Sequence, residues 1–318
     1  MIQVEGLTKR YARNVAVDHV SFSVEKGQIV GFLGPNGAGK TTTMRMLTCF
    51  MPPSEGTATI AGFDVIKQPL EVKKRIGYLP ETPPVYPDME VGEYLQFVAA
   101  IKGIPASDVL KRSQEAAARC SVMDVWSKII GKLSKGYRQR VGLAQAIIHN
   151  PDVLILDEPT SGFDPKQIVE TRDLIKSLAG EHTIVLSTHI LQEVEAMCES
   201  LVIINKGKIA ASGTLEELTR RSGAVLEVSG ADSSTDFKSP FAGLEGVEKV
   251  SSTKLESGLW RVDIDTSSDI DLRPKIAQLA IQSGWGLHRL DSASINLHEL
   301  FLSLTSNVQA AAAEEVNQ

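Results

Sequence analysis

Gly34-Pro35-Asn36-Gly37-Ala38-Gly39-Lys40-Thr41-Thr42 follows an apolar run, Ile29 to Leu33, and precedes Met44, Met46 and Leu47. The run reads as a buried strand and the later apolar residues as one face of a helix. A strand, a glycine-rich loop and a helix opening on Lys-Thr form the phosphate-binding arrangement called Walker A, or P-loop. The glycines let the backbone curl until successive N–H groups point into one concavity. The helix adds the partial positive charge of its N-terminus, so a polyphosphate fits there. Lys40 is placed to reach the β- and γ-phosphates, and the Thr41 hydroxyl to ligate Mg²⁺. Residues 34–42 are therefore the expected nucleoside triphosphate site.

Working outward, the 318 residues suit two or three domains. A 42% hydrophobic content is ordinary for a chain with a real core. No apolar run approaches the ~18–20 residues needed to cross a bilayer, and the start, Met1-Ile2-Gln3-Val4-Glu5, lacks the layout of a signal peptide. Cys49, Cys120 and Cys198 are odd in number and widely spaced in apolar surroundings, which reads as core thiols in a reducing cytosol. A net charge of −6 with no Lys/Arg block shows no footprint for nucleic acid.

Before the P-loop the chain reads as short strands, Ile2 to Glu5, Ala16 to Val24 and Gln28 to Leu33, with Tyr11 in the first loop. Tyr11 is either a platform for an adenine ring or a rim aromatic on the sheet; periodicity does not choose. Thr57 to Ile60 and Ile76 to Leu79 are further strands, the latter running into Pro80-Glu81. From about 86 to 148 the pattern turns helical: Tyr94, Leu95, Val98 and Ile101 share one spacing, Val109, Ala116 and Ala117 another. Leu133 to Arg140 opens the last helix of this insertion, with Val141, Ala144 and Ile148 on its apolar face.

Val153 to Leu156 is an uninterrupted apolar strand, covered on both faces, that ends in Asp157-Glu158-Pro159. Asp164-Pro165 is a helix cap followed by a first-turn proline, and Gly180 stops that helix. Thr183 to Ser187 is the next strand, His189 follows it, and Leu191, Val194 and Met197 or Cys198 are core positions of a helix. A closing hairpin spans 201–211. Strands alternating with helices imply a parallel sheet whose ligands lie beyond the carboxyl ends of the strands. Arg220 to Gly223 looks like a linker; beyond it, strands at 225–229, 247–251, 259–264 and 287–290 and helices at 272–281 and 297–304 describe a small α+β domain. The tail from Ser306 reads as frayed.

Walker A, the Leu133–Arg140 segment, the strand ending Asp157-Glu158 and the later His189 stand in the order and spacing of an ABC-type ATPase, which residues 1–220 resemble. Gly77-Tyr78-Leu79-Pro80-Glu81 and Leu133-Ser134-Lys135-Gly136-Tyr137 resemble the subfamily that serves ABC-2-type permeases, mostly exporters, including gliding-motility and drug-export ATPases. The implied fold is a P-loop α/β domain with an antiparallel β subdomain and a helical insertion over 1–220, an accessory α+β domain over 221–305 and a flexible tail over 306–318.

On the strand end itself, Asp157 is placed to hold the Mg²⁺ shell. Successive strand side chains alternate faces, so Glu158 shares the site only if the strand has already turned, which Pro159 favours. Glu158 is then able to orient or deprotonate the attacking water. The resemblance implies further that His189 contacts the γ-phosphate and that Tyr11 is the adenine platform. Ser134 and Gly136 open a helix, with hydroxyl, N–H and dipole facing outward. The resemblance puts them over ATP held by a second copy, in a head-to-tail dimer with Asp164 at the interface.

Three positions depart from the family pattern. Family members generally carry glycine at Lys135, glutamine at Tyr137 and glutamine at Glu81. Glu81 is either a Mg²⁺ ligand or a coupling-loop residue only. The function these readings imply is the ATP-hydrolysing subunit, with ATP and Mg²⁺ as cofactors, of a transporter whose separate membrane permease it would power from the cytoplasmic face, without a span of its own. A soluble ABC ATPase acting on ribosomes or DNA is the first alternative, disfavoured by a single cassette without a basic patch. A nucleotide-gated regulatory dimer is the second, disfavoured by retention of both Asp157 and Glu158.

Overall fold

Five consecutive apolar or small residues, Ile29 to Leu33, are all buried, and so are Val153 to Asp157 and Thr183 to Thr188. Strands buried on both faces belong at the centre of a sheet flanked by helices. The structure, a computed structural model, describes residues 1–230, 234–241, 243–267, 272–294 and 296–305. It divides into two compact units, Met1–Leu215 with the chain from Leu304, and Glu216–Ser303.

The first unit opens with β1 (Ile2–Tyr11), β2 (Asn14–Val24), β3 (Ile29–Leu33), α1 (Lys40–Leu47), β4 (Glu55–Ile60) and β5 (Phe63–Asp64). After α2 (Pro69–Arg75) and β6 (Ile76–Leu79) come three helices, α3 (Val91–Ile101), α4 (Val109–Arg119) and α5 (Lys135–Ile147). The chain returns through β7 (Val153–Asp157), α6 (Pro165–Leu178), β8 (Thr183–Thr188), α7 (Leu191–Met197), β9 (Ser200–Asn205) and β10 (Lys208–Thr214), and α8 (Leu215–Thr219) then leads into the second unit. Two sheets result: β2-β1-β4-β5, antiparallel, and β10-β9-β3-β8-β7-β6, parallel except for the β9–β10 hairpin. One core joins them, with Ile2, Leu7 and Ile60 of the first sheet in the same cluster as Phe32, Ile155 and Ile204 of the second and Met44 and Met46 of α1.

The P-loop strand β3 lies beside β8, and β8 beside β7. Parallel pairing puts the carboxyl ends of all three at one edge, where a doubly wound sheet binds its ligands. In the insertion, α3 and α4 bury Tyr94, Leu95, Val98, Ala116 and Ala117 as their spacing foretells. Ile101 does not follow: it is 68% exposed at the end of α3.

Two readings need correction. Tyr11 is not in a loop but ends β1, opposite Asn14. The strand continues past Glu5 because Gly6, at φ +58°, takes a bulge between Val4 and Leu7 that a period-2 pattern does not reveal. Arg220 to Gly223 is not a linker; it is the first part of β11 (Arg220–Ser229).

The second unit continues with β12 (Val247–Lys254), β13 (Trp260–Thr266), α9 (Arg273–Gln282) and β14 (Gly286–Ser294), in an antiparallel sheet ordered β12-β13-β11-β14. Gly223 is needed within β11: its φ is +140°, and a Cβ there would stand 2.0 Å from the Ile264 carbonyl oxygen. Leu226, Val228, Val262, Ile264 and Ile276 form a core with Phe237, Phe241 and Trp285. The tail from Ser306 lies outside the described residues.

Candidate nucleotide site

Gly37 and Gly39, at φ +80° and +106°, give the loop after β3 its curl, and a Cβ on Gly39 would meet the Ala16 carbonyl oxygen at 2.5 Å. Gly34 is excluded from bearing a side chain by the Ile204 carbonyl, 2.4 Å from where its Cβ would be. A cavity of about 370 Å³ opens over the loop, lined by Asn36, Gly37, Gly39, Lys40, Thr41 and Thr42, and across from them by Ala16, Glu81, Glu158, Ser161 and His189. Gly34 and Ala38 are buried behind this lining, and Pro35 is half-buried.

Lys40 is 5% exposed. Its ammonium donates to the Gly34 carbonyl at 2.8 Å and the Pro35 carbonyl at 3.3 Å, and lies 3.2 Å from Glu158 Oε1. His189 Nδ1 stands 2.7 Å from Glu158 Oε2. Glu158 thus links the P-loop lysine to the histidine after β8.

The question of how neighbouring Asp157 and Glu158 share one site has a conformational answer. Strand β7 ends at Asp157, and Glu158 adopts φ +49°, in the left-handed region. That turn redirects its side chain to the face Asp157 occupies. Strain of this kind costs roughly 1–3 kcal/mol and persists only where neighbours hold it. Here the Glu158 N–H donates to the Ser187 carbonyl at 3.0 Å and lies 3.2 Å from its hydroxyl, while Ser161 N–H donates to the Glu158 carbonyl at 3.1 Å.

Asp157 is fully buried, accepts hydrogen bonds from the Ser187 and Thr41 hydroxyls, and has an Oδ2 with no partner among the described residues. Burial raises its pKa; the Ser187 and Thr41 hydrogen bonds and Lys40 oppose that rise and Glu158 adds to it. An orphaned carboxylate oxygen beside a threonine hydroxyl fits Mg²⁺, a hard cation that binds through one or two carboxylates plus phosphate oxygens and water. No group of three or more His, Cys, Asp or Glu that could hold a metal stands among the described residues.

Four sequence-predicted residues lie elsewhere in this copy. Tyr11 is 44% exposed; its hydroxyl contacts Met51 Sδ at 3.1 Å and Lys9 Nζ lies 5.6 Å from its ring centre. Ser134 caps α5, accepting from Tyr137 N–H at 3.3 Å, and Asp164 caps α6, accepting from Gln167 N–H at 2.9 Å. Gly136 is buried under the Gln167 side chain. Of the departures, Tyr137 donates its hydroxyl to Asp124 at 2.6 Å, and the Lys135 ammonium lies against Gly162 in the loop before α6. Ala16, Ser161 and Ser187 escaped sequence reasoning. None left a distinguishing signal: Ser187 stands in a strand, Thr183–Thr188, that carries hydroxyls at both ends.

A glycine-rich loop before a helix, a buried aspartate at the end of β7 and a glutamate set against the loop lysine define a P-loop triphosphatase. The sequence profile described as ABC transporter matches residues 17–161. The chain is 42% identical over 206 residues to the ABC transporter ATP-binding protein NatA of Bacillus subtilis (strain 168), covering 64% of this chain and 83% of that one. It is 30% identical over 308 residues to the linearmycin resistance ATP-binding protein LnrL of the same organism, covering 96% and 98%. In fold it matches a dimeric ATP-binding cassette in a post-hydrolysis state bound to ADP and Pi, at TM-score 0.63 and 23% identity over 68% of this chain and 99% of that one.

The chain belongs to the ABC transporter ATP-binding proteins, the ATP-binding and ATP-hydrolysing subunits of these transporters, with ATP and Mg²⁺ as cofactors. No described helix is long and apolar enough to cross a membrane.

Proposed function

We propose that the chain drives export through a separate ABC-2-type permease docked at the cytoplasmic membrane face, as two copies closing head to tail over two Mg·ATP. The observation that carries this reading is the placement of Lys40, Glu158 and His189 in one polar cavity while Ser134 and Asp164 stand outside it. A second copy would supply Ser134, the Gly136 N–H and Asp164 over the γ-phosphate held by residues 34–42. Thr41 and Asp157 would hold Mg²⁺ with Glu81 at the edge of its shell, Glu158 would activate water, and His189 would contact the γ-phosphate. Tyr11, at the tip of the hairpin whose Ala16 lines the cavity, would stack on adenine.

A feature of the loop after β6 supports the permease half of the proposal. Glu81 lines the nucleotide cavity, whereas its neighbour Pro80 lines a second, mostly apolar one of about 470 Å³ with Phe50, Tyr78, Pro84 and Lys102. A permease segment seated there would feel movement of the nucleotide through two adjacent residues. Export accords with the relative named for linearmycin resistance. Sedimentation of the full chain as Glu158→Gln with Mg·ATP tests the pairing. Dimers are expected, and Ser134→Glu added to that chain is expected to return monomers that still hold ATP. Monomers in both would refute the sandwich.

A further inference from the structure

Glu193, on α7, is a carboxylate buried to 3% exposure with no basic side chain within ion-pair distance among the described residues. An uncompensated buried charge is expensive, and a core position of this size would be filled more stably by an apolar side chain. Its contacts are two buried threonine hydroxyls, one in the loop after β7 and one on the last residue of β8. Thr160 Oγ1 donates to Oε1, and Thr188 Oγ1 donates to Oε2 at 2.7 Å. Thr160 stands two residues after Glu158, and Thr188 immediately precedes His189.

The contacts close a ring. From Glu158 the chain runs to Thr160, across Glu193 to Thr188, on to His189, and back through the 2.7 Å contact of His189 Nδ1 with Glu158 Oε2. An ionised carboxylate is acceptor-only, so it obliges both hydroxyls to donate towards it. Thr188 Oγ1, its proton committed, then accepts from Ile190 N–H at 3.0 Å, which fixes the backbone on the far side of His189. A glutamine of the same size keeps one acceptor oxygen; facing its NH₂, the other threonine hydroxyl has to turn from donor to acceptor and its own proton loses the carboxylate that took it.

We propose that Glu193 is a positioning residue: its carboxylate ties the loop after β7 to the end of β8 and thereby holds Glu158 and His189 at their working separation. The inference rests on the reading of those two residues as the groups that meet the γ-phosphate and the attacking water. Misplacement by about 1 Å of a reacting group can cost on the order of 10²-fold in rate. Glu193 therefore acts on turnover and not on nucleotide capture, which belongs to residues 34–42.

The test is steady-state Mg·ATP hydrolysis by the full chain as Glu193→Gln, Thr160→Val and Thr188→Val, beside wild type and Glu158→Gln, with thermal unfolding of each. Expected for Glu193→Gln and Thr160→Val is a kcat lower by roughly 10- to 100-fold, a half-saturating ATP concentration within about twofold of wild type, and an unfolding midpoint no lower for Glu193→Gln. A core-filling role alone would lower the midpoint and leave kcat per folded molecule unchanged, which overturns the proposal. So does a kcat within about twofold of wild type in both variants. Should Glu193→Gln fail to fold, Thr160→Val and Thr188→Val decide by the same criteria. If Glu158→Gln hydrolyses ATP as wild type does, the reading of the site fails and this inference with it; if only Glu158→Gln is impaired, the inference alone fails.

Discussion

His149 illustrates how a single side chain sets a pH limit on the fold. Its Nε2 lies 3.0 Å from the Ile76 carbonyl, an acceptor, so the neutral ring carries its proton there. Nδ1 is buried without a partner, and charging the ring would put a second N–H where nothing accepts it. Burial first, then the charge of Lys102, lower its pKa from 6.5 to about 4. As pH falls below 6.5 the unfolded chain takes up a proton that the folded chain refuses until about pH 4, so stability drops across that interval. Urea unfolding of His149→Gln is expected to show a flatter dependence on pH between those limits than wild type; parallel curves would show that His149 carries none of it. Residue types were legible from sequence, Lys40 at a helix start and Asp157, Glu158 and His189 at or just after strand ends, and the structure brings Lys40, Glu158 and His189 to one cavity. What aims them was not: the left-handed turn at Glu158 and the hydroxyl of Ser187 depend on partners about 30 residues away.

At the scale of elements, close approach of α5 to β6 organises the loop that carries Pro80 and Glu81. A Cβ on Gly77 would lie 2.2 Å from the Ala146 carbonyl oxygen, and one on Gly142 would lie 2.7 Å from Pro83 Cβ. Backbone cannot yield as a flexible side chain can, so Gly77→Ala is expected to lower stability by about 1–3 kcal/mol, read by denaturant unfolding. An unchanged midpoint would show that helix and strand separate freely. The motif Gly77-Tyr78-Leu79 was readable as a strand, but the helix against its glycine was not, because one sequence does not say which distant element approaches. The same limit explains Arg220 to Gly223, whose arginines and glycine look like a linker until the pairing of Gly223 with Asp265 places them in a sheet. Periodic, buried elements such as β3, β7 and α5 were legible because their own residues decide them.

Over the whole molecule, every residue lining the nucleotide cavity lies between Ala16 and His189, within the unit Met1–Leu215. The second unit has a separate core built on Leu226, Ile264 and Phe241. The match to the relative LnrL covers 96% of this chain. The central claim, that Lys40, Asp157 and Glu158 act together on one magnesium-bound triphosphate, is tested most directly by single-turnover hydrolysis of Mg·ATP by the full chain, wild type against Glu158→Gln, with retained ATP measured in the same samples. The expected result is a rate lower by roughly 10²- to 10⁴-fold in Glu158→Gln with ATP retained as in wild type. Equal rates in the two chains, or no ATP retained by wild type, would contradict it.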